Sequence, residues 1–447
     1  MTANTLPSNP FGVSAKYRIS LGAFVFFLAV TLLALVDIRR GFLFTDIQGF
    51  GEYFSKSPYH LLSAVHVIML VVAIPGMIWM YKLLGSQEAN MVGENLENYV
   101  KISALIICLI LVVDLFTYRG VPTMRIVKSG QIGAGWLDAW GVKGWLQPIA
   151  LAASYIITVW HATFLGILFA ALALIILPKY LASFYTKTGF GGSLFGATYA
   201  LPQPFCSCCA SVVTPSLKKN GASRNFMLAF VVGSPMLNIT GLILAAVLLP
   251  TPYAITRIVG GILLTIPVTY YVSRLAEKWD LVEGPDTDNW FTRFTGKLAG
   301  MYCELFHLDE IIEGRNVDTP ANFIKTYAEA VKKLALLLVP TLFIWSMVSA
   351  AFFSVLPAGY GNNLASVLIS AVAGTLFMIS TWTEIPVAMQ MINSGFSAPA
   401  ATLLLVLPPV SLPCLMILGG AIGKFRVVGL LSLAVMITGV GAGLLFL

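Results

Sequence analysis

Uninterrupted apolar runs of roughly 20 residues constrain this chain more than any other feature, because backbone N–H and C=O groups enter hydrocarbon only where a helix or a closed barrel satisfies them internally. Such runs lie at about 20–37, 60–83, 102–118, 149–177, 225–250, 254–273, 330–355, 397–419 and 425–447. A barrel strand would alternate apolar and polar residues, and these runs do not. Of 447 residues, 58% are hydrophobic and 11% charged, where an ordinary soluble domain has about 25% charged. That excludes a soluble enzyme, a secreted disulfide scaffold and a disordered chain. The expected fold is an all-α polytopic membrane protein with about nine full transmembrane helices. Lys16 and Arg18 precede the first run, which ends at Asp37 without a small-residue cleavage site, so it reads as a retained span.

Two further stretches, 192–217 and 363–393, are apolar yet interrupted in mid-course. Pro202, Pro204 and cysteines break the first; Thr381, Thr383, Glu384 and Pro386 break the second. Both are expected to be re-entrant or broken hairpins. If 192–217 returns to its own side, Lys179, Lys187, Lys218, Lys219 and Arg224 share the cytoplasmic side. The turns at Thr251-Pro252-Tyr253 and Ser394-Gly395-Phe396 then lie outside, and the N-terminus is cytoplasmic. Of 27 Lys and Arg, 19 fall inside and 8 outside, with Arg119, Arg125, Lys128 and Lys143 against the trend. The net charge of +7 thus belongs to membrane orientation, and no nucleic-acid partner is expected.

A shift of 174 places Asn220-Gly221-Ala222-Ser223 on Ser394-Gly395-Phe396-Ser397, and Pro235 on Pro409. Each half reads long span, broken segment, small-residue turn, Pro-bearing span, final span, and the two enter from opposite sides. That is an inverted-topology repeat, the pattern of secondary transporters with a midplane site. The expected organisation is N-terminal helices with an interfacial segment (1–148), a first repeat with the cysteine hairpin (149–273), a cytoplasmic polar segment (274–329) and a second, inverted repeat (330–447). Trp136, Trp140 and Trp145 place an interfacial helix at 133–147.

Three of six cysteines crowd into Cys206-Ser207-Cys208-Cys209, too few for a disulfide framework but suited to soft metals or metalloids. Cys206 and Cys208 converge only on broken backbone, beside Pro204, whereas Cys206 and Cys209 would share a helix face. Cys206, Cys208 and Cys209 are therefore the candidate metal or substrate ligands, alongside the alternative that they are small hydrophobes. Cys414, in the second Pro-bearing span, would be drawn to the same site by inverted symmetry or else be inert. Glu384 and Asp114 are acids inside membrane segments, where carboxylates commonly relay protons. Asp114 could equally pair with Arg119. His161 is a candidate ligand or proton carrier or a packing histidine, as is His66. Asn238, after Pro235, offers an amide to the first hairpin or a helix–helix hydrogen bond. No Gly-Lys-Ser/Thr phosphate loop follows the glycines at 189–196, and no cofactor is expected.

Phe205-Cys206-Ser207-Cys208, Asn220-Gly221-Ala222-Ser223 and Ser234-Pro235-Met236-Leu237-Asn238, at this spacing, resemble the predicted permease family that includes the organoarsenical efflux permeases. Ile385-Pro386, Ser394-Gly395 and Ser411-Leu412-Pro413 are similar to that family's second repeat. The likeness covers about 149–447. It implies a plasma-membrane permease exporting thiophilic metal(loid) species, with Cys206 and Cys208 handling substrate. Cys209, the delayed Pro215, and Cys414 and Ile239 at places where the family often carries an acid depart from its pattern.

The resulting expectation is a multi-pass, non-enzymatic secondary transporter of the inner membrane, exporting a thiophilic metal(loid) or organometalloid and driven by protons through Glu384. Its partners are that substrate and the lipid bilayer, and a homodimer is left open. The rivals are a permease for a sulfur-containing or other small metabolite and a membrane thiol oxidoreductase.

Overall fold

The computed structural model describes residues 14–40, 62–91, 96–120, 141–180, 186–201, 205–219, 221–282, 317–353, 361–377, 384–422 and 424–447. These residues are mostly helical and include no strand. Pro204, Thr381, Thr383, Trp136, Trp140 and most of the 274–329 segment fall outside them. The chain divides into two compact units, residues 1–48, 60–118 and 314–329 forming the first and the remainder the second.

The first unit contains α1 (Ala15–Arg40), α2 (Ala64–Ala89) and α3 (Glu97–Leu115), which continues as a π turn, Phe116–Gly120. Helices α1 and α2 pack along each other. A fully buried pair pins them, His66 Nε2 to Asp37 Oδ2 at 2.7 Å, while the Ser63 N–H donates to the other ring nitrogen at 3.0 Å. That second bond makes Nδ1 the acceptor, so Nε2 carries the proton given to Asp37. Glu88 accepts from the Tyr17 hydroxyl at 2.8 Å and from the Ala321 N–H at 2.9 Å.

The second unit begins with α4 (Gln147–Tyr180), followed by α5 (Gly189–Ala200), α6 (Ser207–Lys219), α7 (Arg224–Met236) and α8 (Ile239–Leu248). Then α9 (Thr251–Leu263), a π turn (Leu264–Val268) and α10 (Thr269–Val282) form one long rod. After α11 (Pro320–Phe353), whose part through Glu329 belongs to the first unit, come α12 (Leu364–Leu376), α13 (Glu384–Asn393), α14 (Ser397–Val406), α15 (Leu412–Ile422) and α16 (Phe425–Leu444). The order α5 to α9 is thus the order α12 to α16.

The parallel extends to individual hydrogen bonds. Helix α6 ends with Gly221 N–H on the Lys218 carbonyl and Ala222 N–H on that of Leu217, both at 2.9 Å. Helix α13 ends with Gly395 on Ile392 at 3.0 Å and Phe396 on Met391 at 2.8 Å. Both are Schellman motifs, which require a left-handed residue at the turn; Gly221 and Gly395 supply φ of 85° and 84°. Ser223 then caps α7, its hydroxyl accepting from Phe226 N–H at 3.2 Å, whereas α14 takes its cap from Asn362, which accepts from Ala398 N–H at 2.7 Å.

Among the described residues five helices are long and apolar enough to cross a bilayer: Ala15–Arg39, Ala64–Ala89, Glu97–Tyr118, Thr251–Lys278 and Phe425–Leu444. They answer five of the nine runs expected from sequence. The 225–250 run is a bent pair, α7 and α8 meeting at 42°. The 397–419 run is likewise not one continuous span: α14 stops at Val406 and α15 starts at Leu412, because Pro408 and Pro409 have no N–H to continue the ladder. Large apolar side chains such as Val113 and Ile437 are more than 60% exposed, as a lipid-facing surface demands.

Both turn glycines have open space where a Cβ would stand, so substitution there tests backbone strain alone. Gly221→Ala and Gly395→Ala should each lower stability by about 1 kcal/mol, measured by thermal unfolding in detergent, and Asn at either position should cost less than Ala.

Candidate functional site

Helix α7 ends at Met236, and the carbonyls at its end need partners that water cannot supply in a buried setting. Leu237 N–H returns to Gly233 at 2.7 Å, but Pro235 and Met236 are left over. Arg257, on α9 and only 1% exposed, takes both: Nη1 donates to the Met236 carbonyl at 2.9 Å and Nη2 to that of Pro235 at 3.1 Å. A cation at a helix C-terminus also complements the macrodipole.

The same Nη2 donates to Glu384 Oε1 at 3.0 Å. Glu384 opens α13 and is fully buried, so a carboxylate from the second half meets a guanidinium and a broken helix from the first. Beneath the pair lies an apolar cluster from α8, α9, α13 and α14, including Leu244, Ala254, Ile385, Ala388 and Leu404. Among the described residues, Glu384 Oε2 and Arg257 Nε have no hydrogen-bond partner. Burying two ions costs several kcal/mol each, which a single ion pair repays only with further hydrogen bonds; the two carbonyls provide them.

A second junction forms where α6 packs along α15. Cys206 is the N-cap of α6, its carbonyl accepting from Ala210 N–H at 3.0 Å. Ser411 caps α15 in the same way, accepting from Leu415 N–H at 2.9 Å. Between them, the Ser211 hydroxyl lies 2.9 Å from Cys414 Sγ; Cys414 is wholly buried and lies within electrostatic reach of Cys206. At the other end Lys218 Nζ donates to the Ile422 carbonyl at 3.0 Å, so the helices run in the same direction. Two helix N-termini therefore converge on thiols.

The remaining expected residues are placed as follows. Cys208 and Cys209 stand in the first turn of α6, with side chains outside the described set. Asn238 sits in the α7–α8 break, its Oδ1 accepting from Gly241 N–H at 3.2 Å as a cap of α8. Next to it, Ile239 N–H donates to the Leu201 carbonyl at 3.3 Å, tying this break to the one before Cys206. His161 is buried in α4 with its ring edge-on to Trp160 at 5.1 Å. Asp114 is buried in α3 of the first unit, whereas Glu384 and Arg257 belong to the second. Arg257 and Ser211 carried no expected role. The signal for Arg257 was present, a lone cation in the 254–273 apolar run, the same kind of signal that singles out Glu384.

This is a polytopic helical membrane protein in which helix breaks bring a thiol junction and a buried ion pair together within one unit. Over residues 145–446, more than half its length, the chain matches the predicted permease family, and it belongs to that family. It is 28% identical to the UPF0718 protein YraQ of Escherichia coli strain K12 over 297 residues, 65% of this chain and 78% of that protein. It is 24% identical to the UPF0718 protein MJ0584 of Methanocaldococcus jannaschii over 301 residues, 58% of this chain and 80% of that protein. No solved structure matches it. Membership makes it a membrane permease, a transporter in kind.

Removing one partner of a buried pair leaves an uncompensated charge, whereas replacing both does not. Arg257→Ala should destabilise the protein by about 3–5 kcal/mol, read by thermal unfolding in detergent. The double variant Arg257→Met with Glu384→Leu should recover only the part due to the uncompensated charge, because the Pro235 and Met236 carbonyls stay without their donor.

Proposed function

We propose that the chain is a secondary transporter that exports a thiophilic metal(loid) or organometalloid species across the cell inner membrane, with its N-terminus cytoplasmic and its two halves related as an inverted-topology repeat. The observation that carries this reading is the thiol junction: Cys206 from the first half and Cys414 from the second, with Ser211 between the helices that bear them. Thiolates select soft cations and metalloids.

The inverted repeat draws support from pairing across the halves. The hairpin helix α6 lies along α15, the helix after the break in the other half, and α13 correspondingly touches α8. At one junction two N-termini present thiols; at the other they present Glu384 and Asn238 beside Arg257. Rocking one half against the other would open each junction in turn. Glu384 is the proton carrier of this cycle, because neutralising it removes the attraction that ties α13 to Arg257 and the end of α7.

Proteoliposome flux of trivalent methylarsenite tests the reading. Cys206→Ser and Cys414→Ser should each reduce flux about tenfold or more, the loss of one soft ligand, and Glu384→Gln should abolish stimulation by a pH gradient. Undiminished flux in both cysteine variants would refute the thiol site; gradient stimulation that survives Glu384→Gln would refute the coupling role.

A further inference from the structure

A proton carrier buried as deeply as Glu384 needs a route to water, and the rod made by α9, the π turn and α10 has a buried polar face that the transport cycle above does not use. Starting at Arg257, steps of four residues reach Gly261, Thr265, Thr269 and Ser273. Consecutive members are neighbours one turn apart, in a row that winds slowly round the rod, and Thr265, Thr269 and Ser273 are all 0% exposed. Neighbouring positions on the other faces, such as Ile262 and Leu263, are nearly half exposed and apolar.

The stripe is continuous at both ends. The Arg257 guanidinium lies against Gly261, where a Cβ would come within 3.2 Å of Nη1. Thr265 donates to the Gly261 carbonyl at 2.8 Å, and Thr269 donates to the Thr265 carbonyl. Ser193 of α5, also fully buried, joins it, 3.3 Å from the Thr269 hydroxyl. The last member, Ser273, precedes the exposed Arg274, Glu277 and Lys278. From 257 to 273 the rise is about 24 Å, most of the roughly 30 Å hydrocarbon thickness.

Serine and threonine in apolar helices commonly return their hydroxyls to the carbonyl one turn back, and Thr265 and Thr269 do so. That habit does not account for Ser273 Oγ, which is buried and has no hydrogen-bond partner among the described residues, as is the case for Glu384 Oε2 and Arg257 Nε at the opposite end. The π turn, with Pro267 inside it, loosens the backbone ladder midway along the stripe.

We propose that this stripe is the path by which protons reach Glu384, an inference that rests on the coupling role given to that residue above. A proton from water enters beside Ser273 and passes by way of the Thr269–Ser193 pair and Thr265, a water molecule spanning each single-turn step, and a file of waters carries it over the two turns past Gly261, which has no hydroxyl, to Glu384. Each hydroxyl releases one proton as it accepts another and is left unchanged. The proton ends on Glu384 Oε2, giving a neutral carboxylic acid, while Arg257 keeps its charge on the carbonyls of Pro235 and Met236. Among the described residues the charged group against Glu384 is Arg257 of α9; Tyr253, one turn earlier, stacks on Phe446. Helices α8 and α14 carry no titratable group, and Arg224 of α7 and Arg426 of α16 stand at the first turns of their helices.

The test uses the full chain in nanodiscs with no substrate present. After a pH jump, infrared spectroscopy follows the carbonyl stretch of a protonated carboxylic acid. Glu384→Gln should remove a titrating band. Thr269→Val and Ser193→Ala should each slow its appearance about tenfold, the equivalent of one lost hydrogen bond, with the final amplitude unchanged. Thr256→Val, which removes an exposed hydroxyl from the same helix, should load at the wild-type rate. Ser193→Ala removes a single oxygen and decides the matter if Thr269→Val does not fold. Wild-type loading rates in the path variants would overturn the path. A band that survives Glu384→Gln would overturn the carrier itself. Because no metalloid is present, failure of the thiol-site reading leaves this result unaffected.

Discussion

Helix breaks inside an apolar unit free backbone carbonyls that no water is at hand to satisfy, and the interaction that resolves this at the end of α7 is the reach of Arg257. Its guanidinium has donors enough to cap the carbonyls of Pro235 and Met236 and still hold Glu384. Without it, two carbonyls at the end of α7 would lack donors and α13 would begin with a lone buried carboxylate. The break, the ion pair and the contact between the two halves are one arrangement, because one side chain serves all three.

The corresponding junction on the other side is built from different material. There α6 and α15 meet through Ser211 and Cys414, and the tie between their far ends is Lys218 on the Ile422 carbonyl. One junction is therefore governed by a formal charge pair and the other by polarisable thiols and hydroxyls. In the cycle proposed above, protonation of Glu384 acts on the first and a soft cargo on the second. The two halves, alike in helix order and even in their Schellman caps, thus join through different chemistry at the two junctions.

Much of this was legible in the chain. The apolar runs announced the helices, Gly221 and Gly395 marked equivalent turns at a shift of 174, and Glu384 stood out as an acid where none is cheap. The 397–419 run was harder, because hydropathy averages over Pro408 and Pro409 and reports a continuous span where the backbone stops and restarts. Arg257 escaped for a related reason: a cation near the end of an apolar run reads as an orientation signal, and only its distances to Pro235, Met236 and Glu384 separate a buried partner from a residue that reaches for the headgroups. Asn238 illustrates the reverse, since its amide, open in sequence to several uses, is engaged in capping α8.

What the sequence determined by itself was the solvent: with 58% hydrophobic residues in runs of helical length, backbone hydrogen bonding dictates membrane-spanning helices whatever their arrangement. It determined the turns as well, since a left-handed residue between two helices calls for glycine. Which polar residues meet was decided only by the tertiary structure. Arg257 and Glu384 are 127 positions apart and Ser211 and Cys414 are 203 apart, and no local periodicity encodes such separations. They are set by how two similar series of helices pack, each covering the other's broken ends.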